Sequence, residues 1–187
     1  AEILSERVRQ KISPRKATAA QWIAVMREAQ ALGMLTSATM MYGHVETIKE
    51  RIGHLLLLRD LQAESIRFGR RGFLAFIAWP YQGNGTRLAK MIEYHPVGAT
   101  EHLRLIALAR ILLTNIPHIQ ASWLTVGQDV AALSLWGGAD DMGSIMIEEN
   151  VVSSTGTNYK MDAEGMVALI RNTGFTPARR NQAYELI

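Results

Sequence analysis

Cysteine is absent from all 187 residues, so the chain has no thiols for a disulfide, a zinc-cysteine site or an iron-sulfur cluster. Charge of one sign is also scarce. The formal net charge is +3, with 20 Lys and Arg against 17 Asp and Glu, and the basic residues are scattered apart from the pairs Arg70-Arg71 and Arg179-Arg180. That distribution leaves no electrostatic footprint for nucleic acid, despite a sequence pI near 9.4. No stretch approaches the roughly 18 apolar residues of a membrane span. The opening "AEILSERVRQ" lacks the basic-then-apolar order of a signal peptide, so a cytoplasmic protein is expected. The five histidines show no metal-ligand spacing, and no metal site is expected.

What is present is the composition of a globular domain, 48% hydrophobic and 20% charged. Thr18 with Gln21 and Thr47 with Glu50 match the capping box, in which a hydroxyl and a side chain three residues on satisfy free backbone N–H groups reciprocally. Behind the first box, Trp22, Val25, Met26, Ala29 and Leu32 form an apolar face ending at Gly33; behind the second stand Ile52, Leu55, Leu56 and Leu61. A third helix is expected from Thr100, apolar on more than one face. Another is expected between Asp162 and Gly174, and a last helical segment from Thr176-Pro177.

Between the helices lie four β-rich runs, "LTSATMMYG", "GFLAFIAWP", "HIQASWLTVG" and "GSIMIEENVVS", uncharged until their C-terminal ends as strands covered on both faces are. The alternation predicts an α/β fold of about four parallel strands. Ligands in such folds sit at the C-terminal strand ends, and those ends carry the polar residues: Tyr42, Gly43, His44 and Glu46; Trp79, Tyr81 and Gln82; Ser122 and Thr125; Glu148 and Glu149. Period-two alternation puts Ser37, Thr39 and Met41 on one face, Gln120 and Ser122 on another, and Ser144, Met146 and Glu148 on a third, a semi-polar interior unlike a packed core. Taken singly, Ser37 or Ser144 also fits a core that hydrogen-bonds to backbone, and a lone His44 fits a structural group. His118, at the N-terminal end of its run, reads as structural.

The blocks "ATMMYGHVET", "FIAWPYQ", "NIPHIQASW" and "MIEENVV", in this order, resemble the radical S-adenosylmethionine enzymes of the futalosine route to menaquinone. "IQASW" followed by "IEENVV" is more similar to the members that close a spiro ring than to the aminofutalosine synthases or the deazaflavin-cofactor synthases. The resemblance runs from Ala1 to Ile187 and implies the C-terminal half of a (β/α) TIM-type barrel, residues 1–187 forming one partial domain. It implies a [4Fe-4S] cluster and S-adenosylmethionine in the parent enzyme, with the cluster's cysteines in an N-terminal half outside these residues. The implied reaction is a cyclisation begun by a 5′-deoxyadenosyl radical on dehypoxanthine futalosine, in which the protein supplies orientation and excludes water.

Carried onto this sequence, the resemblance implies cofactor contacts from Glu2, Thr39, Met41, Gly43 and Glu46. It implies substrate contacts from Tyr42, Trp79, Gln120 and Ser122, and a proton acceptor in His44 or Glu148. It also implies that the chain alone is inactive, and that it self-associates or pairs with the other half-barrel to cover its sheet edges. A non-catalytic half-barrel interaction module is the alternative from a different class. A hydrolase using Glu148 with His44 lacks an accompanying nucleophile motif.

Overall fold

The computed structural model describes residues 3–145 and 161–187. Its helices are α1 (Glu6–Ile12), α2 (Ala19–Ala31), α3 (Ile48–Arg67), α4 (Arg87–Met91), α5 (Ala99–Leu112), α6 (Trp123–Val126), α7 (Gln128–Trp136) and α8 (Ala163–Asn172). Its strands are β1 (Thr36–Tyr42), β2 (Phe73–Pro80) and β3 (His118–Gln120), parallel and in spatial order β1-β2-β3. Helices separate consecutive strands, as parallel pairing requires. The result is a mixed α/β fold around a small parallel sheet.

Both capping boxes form. Thr18 Oγ1 accepts from Gln21 N–H at 3.1 Å while Gln21 Oε1 accepts from Thr18 N–H at 2.9 Å. Thr47 and Glu50 do the same at 3.2 and 2.8 Å. Asp162 caps α8 by accepting from Gly165 N–H at 2.8 Å. The helix expected from Thr100 starts one residue earlier, with Gly98 as N-cap and no side-chain cap. On α2 the apolar face is narrower than the spacing suggested: Trp22, Ile23 and Met26 pack on the core, but Val25 and Leu32 are exposed.

In a parallel pair, residues in register share a face. Ala38, Met40 and Tyr42 stand beside Phe76, Ala78 and Pro80, and Phe76 beside Ile119. All seven are buried, and all but Pro80 pack in one core with Leu55 and Leu58 of α3, Leu105, Ile106 and Ala109 of α5, and Ala131 of α7. The opposite face carries Thr39 beside Ile77, Ile77 beside Gln120, and Met41 beside Trp79. These side chains are only partly covered, Trp79 remaining 38% exposed.

At the N-terminal edge of the sheet, the buried Gln62 of α3 accepts the Phe73 N–H at 2.6 Å and donates to the carbonyls of Arg71, Phe73 and Asn115. This pins the starts of β2 and of the segment leading to β3 to one side chain. Gly72 (φ +67°) sits against it, and a Cβ there would fall 2.2 Å from Gln62 Oε1, so no other residue fits without moving the amide.

Three expectations need correction. The run "HIQASWLTVG" is a strand only to Gln120. Ala121 N–H turns to the Asp141 carbonyl at 2.8 Å, and Ser122 adopts a left-handed backbone (φ 53°) whose carbonyl starts the single turn α6 by accepting from Thr125 N–H at 3.0 Å. The strand period relating Gln120 to Ser122 therefore ends before it reaches Ser122. The segment after Thr176-Pro177 forms no helix: Asn181 Oδ1 accepts from the N–H groups of Ala183 and Glu185 at 2.8 and 3.1 Å, a side-chain turn that competes with helix, and Arg180 is bound by Asp141. The fourth expected strand is not formed over its described part, Gly143 to Ile145. The rest of it, with Met146, Glu148 and Glu149, lies outside the described residues, as does Glu2.

Candidate functional site at the C-terminal rim

The backbone after β1 turns sharply at Gly43 (φ +86°), where a Cβ would fall 2.2 Å from Val97 Cγ2. Glycine is required here by both conformation and close approach. The turn is held from within by Glu46, whose side chain is fully buried. Its Oε1 accepts from Gly43 N–H at 2.6 Å and from Arg51 Nε at 2.7 Å. Its Oε2 accepts from His44 N–H at 3.0 Å and lies 2.9 Å from His44 Nδ1. Burial opposes ionisation of Glu46, but the hydrogen bonds it accepts, from the His44 ring where Nδ1 is protonated and from the Gly43 and His44 amides, outweigh it and bring the carboxyl down to about 2.

His44 is closed off from solvent as well. Its Nε2 faces the Met41 carbonyl at 3.2 Å, and since a carbonyl only accepts, Nε2 carries a proton. Nδ1 lies 2.7 Å from Val45 N and 2.9 Å from Glu46 Oε2. Unprotonated, it accepts the Val45 N–H; protonated, it donates to Glu46.

The network continues into the helices. Arg51, on α3, donates through Nη1 to Glu101 Oε1 at 2.6 Å, and its guanidinium lies 4.9 Å from the centroid of the Tyr42 ring. Tyr42 faces the helix layer, and its hydroxyl lies 2.7 Å from His102 Nδ1. Burial raises the Tyr42 hydroxyl beyond its ordinary range and lowers His102 to about 4, so this buried pair is neutral at physiological pH. His54 of α3 is also neutral, lowered to about 3 by burial, with Nδ1 accepting from Leu4 N–H at 3.0 Å.

Beside this rim, the segment after β2 stacks aromatic rings. His44 and Tyr81 meet edge to face at 6.0 Å between centroids, Tyr81 and Tyr94 at 5.5 Å, and the Tyr94 hydroxyl donates to the Tyr81 carbonyl at 3.0 Å. A pocket of about 180 Å³ opens here, with Tyr81, Gln82, Tyr94, Val97, His102 and Thr125 among its lining. Gln82 donates to the carbonyls of Pro80 and Thr125, joining the ends of β2 and α6.

Thr39, Met41, Trp79 and Gln120 thus share the open face of the sheet, and Gly43, His44 and Glu46 share one rim turn. Tyr42 lies on the helix side, away from both. Gln120 packs on Gly143. Ser122 is 5% exposed, and its Oγ has no hydrogen-bond partner among the described residues. Among those residues, no group of three His, Asp or Glu could hold a metal ion. Arg51, Glu101 and His102 were not anticipated from sequence. On a helix, a charge reads as a solvated face, and only the fold shows that Arg51 turns back on Glu46.

The C-terminal residues 70–187 match the family model described as the CofH/MqnC C-terminal region. Over 185 residues, 99% of the chain and 44% of the relative, it is 44% identical to a cyclic dehypoxanthine futalosine synthase of Streptomyces coelicolor. It is 42% identical over 187 residues, all of the chain and 48% of the relative, to one of Halalkalibacterium halodurans. An aminodeoxyfutalosine synthase of Thermus thermophilus is 37% identical over 187 residues, 98% of the chain and 49% of the relative. The chain spans about half the length of the curated relatives it matches.

Proposed function

The chain belongs to the CofH/MqnC C-terminal family, and on that premise we propose that it is the C-terminal half of a radical S-adenosylmethionine cyclase that converts dehypoxanthine futalosine to its cyclic form in the futalosine route to menaquinone. The observation that carries the reading is whole-chain identity of 44% and 42% to two cyclic dehypoxanthine futalosine synthases, against 37% to an aminodeoxyfutalosine synthase. The open, semi-polar face of the sheet suits it, since a barrel core would carry Val, Ile and Leu there. In this reading residues 1–187 are one partial barrel domain in the cytoplasm, and the remaining half-barrel or a second copy covers that face.

A [4Fe-4S] cluster does not fit these residues, because the chain offers no cysteine. S-adenosylmethionine fits better: Met41, partly covered beside Trp79, gives adenine an apolar floor, with Thr39 one step down the same face. When bound, that group supplies the adenosyl moiety for hydrogen abstraction. Gly43 brings the rim backbone close, Glu46 holds that backbone in place, and Glu2 completes the cofactor side. Trp79 walls the substrate, and Gln120 and Ser122 offer it polar atoms. After ring closure an electron and a proton leave together; the electron's acceptor lies outside these residues, and the proton goes to Glu148 or to Nδ1 of His44, where Glu46 Oε2 at 2.9 Å would hold the charge.

The test is anaerobic reconstitution of the protein expressed from its complete open reading frame, with S-adenosylmethionine, reductant and dehypoxanthine futalosine, read by mass spectrometry. The expected product is cyclic dehypoxanthine futalosine together with 5′-deoxyadenosine, and the 187-residue chain alone gives none. Turnover of a different relative's substrate in place of dehypoxanthine futalosine would overturn the assignment.

A further inference from the structure

We propose that Arg51 is the positioning residue of the rim turn at residues 43–46, holding the Gly43 and His44 amides in place through Glu46 and locking the turn to the start of α5 through Glu101. The inference rests on the reading above for what the turn serves, but its geometry stands by itself. Each oxygen of the Glu46 carboxylate already takes one backbone N–H, from Gly43 on one side and His44 on the other. A fully buried carboxylate needs its charge answered as well, and Arg51 does this through Nε at 2.7 Å.

The same guanidinium reaches Glu101 with Nη1 at 2.6 Å and lies over the Tyr42 ring. The next residue on α5, His102, meets the Tyr42 hydroxyl. The rim turn, the end of β1 and the first turns of α5 are therefore tied in one closed circuit, and Arg51 is the member that touches three of its parts. A fork of donors pointing in two directions is something lysine's single ammonium cannot reproduce. Val97, just ahead of α5, fills the space over Gly43, so a shift of α5 would be felt at the turn.

The experiment compares wild type with Arg51→Met, Arg51→Lys and Glu101→Gln. Amide hydrogen exchange is followed by mass spectrometry on peptides covering residues 42–47 and, as reference, β2 and α2. If Arg51 positions the turn, both Arg51 variants speed exchange at Gly43 and His44 by roughly tenfold or more while the reference peptides keep their protection, and Glu101→Gln gives a smaller effect in the same place. Arg51→Lys guards against a folding defect, because it keeps the cation. Unchanged exchange at residues 43–44, or a rise spread evenly over all peptides, would overturn the proposal.

On the protein from its complete open reading frame, equilibrium dialysis with S-adenosylmethionine adds the second readout. Affinity is expected to fall roughly tenfold in both Arg51 variants, and unchanged affinity would overturn the link between the turn and the cofactor. A wild-type protein that binds no S-adenosylmethionine would overturn the cofactor reading of the preceding section, while the exchange data still decide the role of Arg51.

Discussion

The two faces of the sheet obey different rules although they are built from the same three strands. On the helix-facing side, Ala38, Met40, Tyr42, Phe76, Ala78 and Ile119 are fully buried. Alternating with them along the same strands, Thr39, Met41, Ile77, Trp79 and Gln120 are partly covered or exposed. Burial on one face makes stability its task; partial exposure on the other leaves polar and aromatic groups free to meet something outside the described residues. Substitutions on the two faces should separate these tasks.

The largest effect is expected at the centre of the buried face. Phe76→Ala should cost about 3–5 kcal/mol in chemical denaturation, the range for emptying an aromatic site in a packed core. A loss below about 1 kcal/mol there would mean the helix layer collapses freely into the gap, and the contrast between the faces would fail.

Next comes acid. Glu46 has its folded-state value lowered to about 2, below the roughly 4.3 of an unfolded glutamate. A depressed carboxyl contributes stability that is complete above the unfolded value and is lost as pH falls from there toward the folded one. Urea midpoints should therefore fall with acid between about pH 5 and about pH 2. In Glu46→Gln the slope over this window should flatten, since the group no longer titrates. An unchanged slope would place the acid sensitivity elsewhere, for instance at Glu50, which the Arg7 guanidinium also holds below its ordinary range.

Much of this architecture could be read from the sequence, and what escaped has a common cause. Capping boxes are local, four residues that specify their own geometry, so the starts of α2 and α3 were legible to the residue. β1 and β2 were legible because runs such as "FLAFIAWP" have a composition that suits burial on both faces. The end of β3 was not, because the left-handed Ser122 depends on Ala121 bonding to Asp141, a contact twenty residues along the chain. α7 starts from Gly127 without a side-chain cap and carries no polar stripe to show its period. At the rim, the chemical residue types were visible but their engagement was not: nothing local to "GHVET" indicates that Glu46 is spent on its own turn, or that Arg51 and Glu101 complete it.

A smaller effect is expected at the entry to α3. Thr47→Ala removes the hydroxyl that accepts the Glu50 N–H at 3.2 Å and should cost about 1 kcal/mol, typical of an N-cap serine or threonine replaced by alanine. Because α3 lies over the buried face, the loss should appear in global stability and leave the open face unaffected. Thermal denaturation of the 187-residue chain measures it.

An effect of similar size carries the comparison furthest. Ile77 is in register with Thr39 on one side and Gln120 on the other, in the middle of the open face, and is only partly buried. In the 187-residue chain, Ile77→Ser should cost about 1 kcal/mol, less than at an enclosed core position, because part of the side chain still meets water. If the open face is the interior of a barrel closed by another half, the same substitution in the protein from the complete reading frame should cost more, about 2 kcal/mol or above, since the side chain is then fully enclosed. Equal small costs in both would mean that the face stays open and that nothing packs on it. An equally large cost in both would mean that the 187-residue chain already covers this face by self-association, which light scattering across a concentration series would reveal.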